Sequence, residues 1–255
     1  MGTPFKDHYN TACATLLAEK IHNVQPTFDK RVFVRSIRGR ISDAGFFERQ
    51  DIFADAFEAT LGPDYTKNLR IFTRILGPKL KTSTGMFTHG WWLWPISRYV
   101  ERHAIEDKET SFTFIYELTQ RFTGEFAIRP LLEAYPEETL AVMLTWSRDS
   151  SVHVRRLASE GVRTRLPWAR KSRVALEHFG AYAAILTSLR TDPERFVQKS
   201  VGNNVNDLMK EDRLKALALV ERWCSGVVSP ETGWIIRHGL RNHRSEIHRL
   251  CRNRD

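Results

Sequence analysis

The sequence predicts an all-α fold, a HEAT-like helical repeat superhelix of stacked antiparallel helix pairs with a concave basic face. Three observations point there. Apolar residues recur at helical spacing, as in DHYNTACATLLAEKIHNV (7–24), which places Ala12, Leu16, Leu17 and Ile21 inside. No period-2 run bounded by hairpin turns occurs, so no sheet is expected. Cap-like turns at Asp149, Asp192 and Ser229 stand 43 and 37 residues apart, and Val154-Arg155-Arg156 and Val197-Gln198-Lys199 repeat the 43-residue offset. A helix pair cannot bury its apolar face alone, so neighbouring pairs stack, and the curve exposes a row of equivalent helices. A non-repetitive α-bundle is the plainer reading of the same helices.

The element boundaries follow from local chemistry. QDIFADAFEATLGPDY stops at Gly62-Pro63, and NLRIFTRILGPKL repeats that stop at Gly77-Pro78. Residues 78–92 make the longest loop, which separates the N-terminal helices from the repeat body without marking a domain of its own. Residues 1–255 are therefore read as a single HEAT-like domain. TDPERFVQKSVGNNVNDLMKED begins with Asp192 as cap and Pro193 at the first helical position, and SPETGWIIRHGL does the same with Ser229 and Pro230.

The charge balance narrows the partners. Over 255 residues, 39 Lys and Arg face 30 Asp and Glu, and the excess is local. Residues 101–150 carry a net charge of −5 and residues 151–200 a net charge of +6. A localised basic block suits a polyanion, with nucleic acid ahead of an anionic membrane, because no long basic amphipathic segment with an apolar Trp/Leu face stands out. Three scattered cysteines, Cys13, Cys224 and Cys251, argue for reduced thiols. The start MGTPFKDHYN has no apolar signal core, and Lys6 occupies the position where a myristoylation signal wants Ser or Thr. No apolar run is long enough to span a membrane. A cytoplasmic protein is expected.

Trp146–Trp168, WSRDSSVHVRRLASEGVRTRLPW, is the most informative stretch. It holds Arg155, Arg156, Arg163, Arg165 and, after Asp149, the single carboxylate Glu160. On a helix Arg156, Glu160 and Arg163 share a face, opposite Val154, Leu157, Ala158 and Val162. A lone acid in a basic surface suits a site that also handles positive charge; an ordinary i,i+4 ion pair is the alternative. Nucleotide-binding glycine loops, HExxH, CxxC and GxSxG are all absent. Cys224, His238, His243, His248 and Cys251 fit no zinc spacing, so neither metal nor cofactor is expected. FTGEFAIRPLL places Glu125 at a Thr-Gly break with Arg129 four residues on, where dipole compensation is the ordinary explanation. SVGNNVNDLMK sets Asn203, Asn206 and Asp207 on adjacent turns beside Lys199; such groups in mid-helix either reach a partner or make buried inter-helix hydrogen bonds. GWWLWP, with Trp91, Trp92 and Trp94, is either core or a base-stacking platform.

EFAIRPLL, SVHVRRLASEGVRTRLPW and VQKSVGNNVNDL, in that order, together with GWWLWPISRYVE upstream, resemble the motifs of the AlkC family of DNA alkylation-repair glycosylases. The likeness covers most of the chain and is strongest over 90–210. It implies a HEAT-like superhelix that excises cationic N3-methylated bases from duplex DNA, 3-methyladenine chiefly and 3-methylcytosine beside it, without cofactor or obligate protein partner. In the wider superfamily, which includes AlkD, it implies that the DNA backbone is cupped on a concave basic face. It further implies that Glu125 and Glu160 are active-site acids and that Trp168 and Asp207 are their neighbours; from the charge pattern and the mid-helix amides, Arg129, Arg155, Arg156, Arg163, Arg165, Lys199, Asn203 and Asn206 are expected to bind DNA. Gln198 stands where the family usually has Arg, and Gly202 and Asn204 replace bulkier or His-like residues. The extra C-terminal β-sandwich of some relatives is not expected, because helical sequence runs to Asp255.

The chemistry of the residues agrees. An N3-methylated base is cationic and a good leaving group, and its loss leaves an oxocarbenium-like sugar. A carboxylate beside that sugar stabilises the developing charge, while arginines bind flanking phosphates and keep the acid ionised. The basic side chains are expected to share one concave surface on which Glu125 and Glu160 converge, with Trp168 close by. A non-catalytic HEAT-type scaffold and an RNA-binding helical protein are the competing classes.

Overall fold

The computed structural model describes residues 4–243 and 245–247. Among the described residues all regular structure is helical, without a strand, and no helix is long and apolar enough to cross a membrane. The chain divides into two compact units, Met1–Pro130 and Leu131–Asp255. The sequence, read as a single domain, carries no Gly/Ser/Pro-rich linker at that boundary to announce the division.

The first unit contains α1 (Thr11–Val24), α2 (Lys30–Arg38), α3 (Phe46–Leu61), α4 (Tyr65–Ile75), α5 (Met86–His89), α6 (Trp94–His103) and α7 (Lys108–Thr119). Helix α1 packs on α2 and α4, α2 on α3, α3 on α6, and α4 on α7. The two Gly-Pro stops fall where the sequence places them. Helix α1 differs from expectation. It begins at Thr11, where the Asn10 side chain accepts from the Ala12 and Cys13 amides, and its buried face is Cys13, Ala14, Leu17, Ala18 and Ile21. Ala12 and Leu16 lie outside. Small and apolar residues line two adjacent faces of this helix, so periodicity alone could not choose between them. The tryptophan run is core: Trp92 and Trp94 are buried, and the Trp94 ring centre lies 4.7 Å from Phe46, 5.4 Å from Phe122 and 5.7 Å from Phe126.

Helix α8 (Arg129–Ala134) carries the boundary. The second unit continues with α9 (Pro136–Trp146), α10 (Val152–Glu160), α11 (Val174–Glu177), α12 (Phe179–Leu189), α13 (Arg195–Glu211), α14 (Arg213–Trp223) and α15 (Pro230–Gly239). Helices α10, α13 and α15 pack in a row, and α9 packs on α12. The Trp223 indole joins α14 to α12 by donating to Thr187 Oγ1 at 3.0 Å. Helices α10 and α13 begin 43 residues apart, in keeping with the sequence offset. Asp149 and Asp192 are equivalent, but neither is an N-cap. Each carboxylate accepts from the amide two residues on (Ser151 and Glu194), and the helix starts one residue later. Asp192 has a second task, since Arg155 Nε donates to it at 2.6 Å and ties one repeat to the next. Ser229 is a true cap, accepting from the Thr232 amide with Pro230 at the first helical position.

The α13–α15 contact is unusually close. A Cβ at Gly239 would lie 2.7 Å from Val205 Cβ and 3.1 Å from the Gly202 carbonyl oxygen. Val205 is fully buried and β-branched, so it cannot move aside. Gly239→Ala is expected to destabilise the protein by about 1–3 kcal/mol through overpacking, lowering the thermal midpoint by several degrees. Gly180, with nothing near its missing side chain, is the contrast: Gly180→Ala is expected to be neutral or to stabilise by up to about 1 kcal/mol. Thermal melts of the two variants check both; equal midpoints would refute the close-packing account.

Candidate functional site

Glu160 ends α10 and is only 5% exposed. The sequence pattern put it on a basic surface, but α10 buries every residue from Leu157 to Glu160. Arg163 Nη1 donates to Glu160 Oε1 at 2.7 Å, and Arg156 Nη2 lies 3.3 Å from the same oxygen. Oε2 accepts from the Ser200 hydroxyl of α13 at 2.6 Å, and Ser200 Oγ in turn accepts from Ser159 at 2.7 Å. Both carboxylate oxygens are therefore fixed in place. The expectation that Arg163 lies on the same α10 face as Arg156 and Glu160 is corrected, because the helix ends at Glu160 and Arg163 sits in the turn that follows.

Arg163 is also no surface cation. It is buried, with one edge on Glu160 and with Nε donating to Asp207 Oδ2 of α13 at 2.8 Å. Burial opposes every charge here, but partners decide the outcome. For Glu160, burial raises the pKa, and Arg156, Arg163 and the Ser200 hydroxyl outweigh it, so the carboxyl sits below the usual range. For Asp207, burial wins over Arg163 and Lys210, and the neighbouring Glu160 adds to it, so its pKa is raised. Arg163 is held charged by Glu160 and Asp207 against its own burial. Environments that push two carboxyls apart assign them different tasks: Glu160 stays an anion, and Asp207 is the first to take a proton. Two arginines and two acids leave the cluster without net charge.

The chain leaving α10 is pinned to α13 in register. Arg163 reaches Asp207, while Arg165 and Lys171 both reach Glu211 one turn on, at 2.6 and 3.1 Å. The Ser172 amide closes the segment by donating to the Thr164 carbonyl at 3.1 Å. Trp168 stands within this turn, 71% exposed, at φ +66°. A left-handed backbone costs a bulky L-residue about 1–2 kcal/mol, and such strain gathers at functional sites.

Each of the other predicted residues has surroundings of its own. Arg155 pairs with Asp192. Arg156 lies half-buried beside the Phe196 ring, 5.2 Å from its centre. Asn206 is buried and donates to the Gly239 carbonyl at 3.0 Å, an inter-helix hydrogen bond. Asn203 is half-exposed and meets His238, and Lys199 is exposed. Gln198 is buried and donates to the Asp192 carbonyl, so it presents nothing outward in place of arginine. In the first unit, Glu125 is half-buried in the turn after α7, where Thr123 Oγ1 donates to its carboxylate at 3.0 Å, and Arg129 is buried and electrostatically coupled to Glu101. Sequence reasoning missed Ser200; its 41-residue offset from Ser159, close to the repeat length, was the available signal. It also missed Asp192 as the partner of Arg155. Among the described residues no three His, Cys, Asp or Glu side chains gather as metal ligands; His248 and Cys251 lie outside the described residues.

Comparison with known proteins adds identity to this geometry. The chain is similar to the solved structure of Pseudomonas fluorescens alkylpurine DNA glycosylase AlkC bound to DNA containing an abasic site analog. The two share 29% identity and superpose with a TM-score of 0.86 over 98% of this chain and 68% of that one. It is 32% identical over 237 residues to the uncharacterized protein YhaZ of Bacillus subtilis (strain 168), a match covering 92% of this chain and 63% of YhaZ. The chain thus spans less than two thirds of that relative's length. The all-α, HEAT-like reading of the fold agrees with the AlkC likeness. The sequence pattern of the DNA alkylation repair enzyme family matches residues 123–250, half of the chain and the part that holds Glu125, Glu160, Trp168 and Asp207, so this protein belongs to that family.

Proposed function

We propose that this protein is a DNA glycosylase that hydrolyses the N-glycosidic bond of cationic N3-alkylated bases in duplex DNA, 3-methyladenine and also 3-methylcytosine, as a step of base excision repair in the cytoplasm. The observation that carries the reading is Glu160, a buried carboxylate kept ionised and held at both oxygens. A fixed anion is what an oxocarbenium-like transition state requires, because it need not reorganise as positive charge builds on the sugar. The relative AlkC was captured on DNA with an abasic site analog, the state that base loss leaves behind. A neutral base would gain little from such a site, so the lesions are charged ones.

Roles follow from the contacts. Glu160 stabilises the sugar cation, and Glu125 is the second acid assigned to the reaction. Arg163 and Asp207 position Glu160, and Trp168 presents its indole to the lesion strand. Lys199 and Asn203 hold the DNA backbone; Arg155, Arg165 and Asn206 tie α10, the turn after it and α15 to α13 and the turn before it, and Arg156 and Arg129 are further backbone contacts in this reading.

Glu160→Gln keeps shape and hydrogen bonding but removes the charge. It is expected to slow single-turnover release of 3-methyladenine by roughly 2–4 kcal/mol of barrier, about 30- to 1,000-fold, while undamaged-duplex affinity stays near wild type. Thermal melts run alongside confirm that the variant is folded, since Arg163 retains Asp207. Equal excision rates would remove Glu160 from the mechanism and favour a non-catalytic scaffold. Glu125→Gln is measured in the same way. Backbone binding is tested by salt: Lys199→Gln is expected to weaken duplex binding across all sequences and to reduce the slope of log K against log salt by about one. An unchanged slope would take Lys199 off the backbone.

A further inference from the structure

Helices α13 and α15 carry a second polar group that the acid–arginine cluster does not use. Arg195, Lys199 and Asn203 follow at i, i+4 and i+8 along one face of α13. The Arg195 guanidinium lies 4.0 Å from the centre of the Trp234 ring, and that ring stacks on His238 at 4.7 Å with an interplanar angle of 10°. A stacked guanidinium keeps its in-plane N–H edges for bidentate recognition of an oxyanion. His238 Nε2 lies 3.1 Å from Asn203 Oδ1, an oxygen that only accepts. With the Asn203 amide oriented this way, Nε2 is the nitrogen that donates and Nδ1 is the position open to a second proton. Gly202 makes room for the ring, since a Cβ there would lie 2.8 Å from His238 Cδ2.

The charges around this group are unbalanced, unlike those around Glu160. Arg155, Arg163 and Arg165 each hold a carboxylate. Arg195 and Lys199 are exposed and have no hydrogen-bond or ion-pair partner among the described residues. The charged groups facing His238 are Arg195 and Lys199 from α13 and Arg241 just beyond α15, all positive. The acid that senses this group is Glu231, which lies in the field of Arg195 at the start of α15. Burial first, then these cations, hold the His238 imidazole below the usual histidine range, so it is neutral at pH 7.

We propose that Arg195, Lys199, Asn203 and His238 form a binding site for a phosphate oxyanion, and that His238 takes up one proton from solvent at Nδ1 when the oxyanion binds. The bound negative charge cancels the field of the three cations, which removes the electrostatic opposition to the imidazolium. The oxyanion is either a DNA backbone phosphodiester, a source that rests on the glycosylase reading, or a free phosphate. The sign is fixed by linkage: a group whose pKa rises on binding makes binding tighter as pH falls through the interval between its unbound and bound values.

Two measurements on the whole protein test this. Affinity for an undamaged duplex is followed from about pH 7.5 to about pH 5.5 for wild type and His238→Gln. Wild type is expected to gain about three- to tenfold more affinity per pH unit than the variant. The imidazole resonances of wild-type His238 are titrated by NMR alone, with the duplex, and with inorganic phosphate. A rise in the His238 pKa with the duplex supports the site with DNA as its source. A rise with inorganic phosphate in a protein that does not bind duplex supports the site and overturns the DNA reading. Duplex binding with no rise and with parallel pH profiles overturns the site and leaves the glycosylase reading standing. No rise and no duplex binding overturns both.

Discussion

The Arg163 guanidinium, held between Glu160 and Asp207, is the interaction on which the second unit's site depends. Alone, any of these three charges would be costly to bury; together with Arg156 they compensate one another. The bridge also fixes geometry. It orients the carboxylate at the end of α10, anchors the turn that carries Trp168, and sets the register of that turn against α13, where Arg165 and Glu211 repeat the contact one turn on. Arg163 keeps Asp207 when the Glu160 charge is lost and Glu160 keeps Arg156 when Arg163 is lost, so the guanidinium that both acids share is the member whose loss disturbs the group most.

Much of the fold was legible because it is written locally. The Gly-Pro stops, the Ser229 cap and the 43-residue offset depend on a few neighbouring residues, and each lies where the sequence implies. The Asp149 and Asp192 turns were legible as turns but not as to which residue caps, since an Asx turn before a helix and an N-cap use the same residue type. The buried face of α1 was not legible, because two faces were apolar enough to serve.

The candidate site was legible as composition and illegible as environment. Glu160 among arginines can be read from a string of letters, but its burial cannot. Enclosure comes from Ser200 and Asp207 on a helix some 40 residues away, and from the end of α10 turning inward. Arg163 counted as a surface cation for the same reason, since nothing local shows that both of its acids lie beneath it. The mid-helix amides, open in the sequence between reaching a partner and bridging helices, divide: Asn206 bridges to α15, and Asn203 meets His238 at the surface.

The crossing of α13 and α15 carries a consequence for how this chain can vary. Val205 and Gly239 occupy what is in effect one shared volume, and the Gly202 carbonyl forms its floor. The nearest atom in the way is the Val205 Cβ, which every residue but glycine carries, so a side chain at 239 requires glycine at 205 or a wider helix crossing. In related sequences a side chain at 239 should go with glycine at 205, a signature of helix contact that neither position would show by itself.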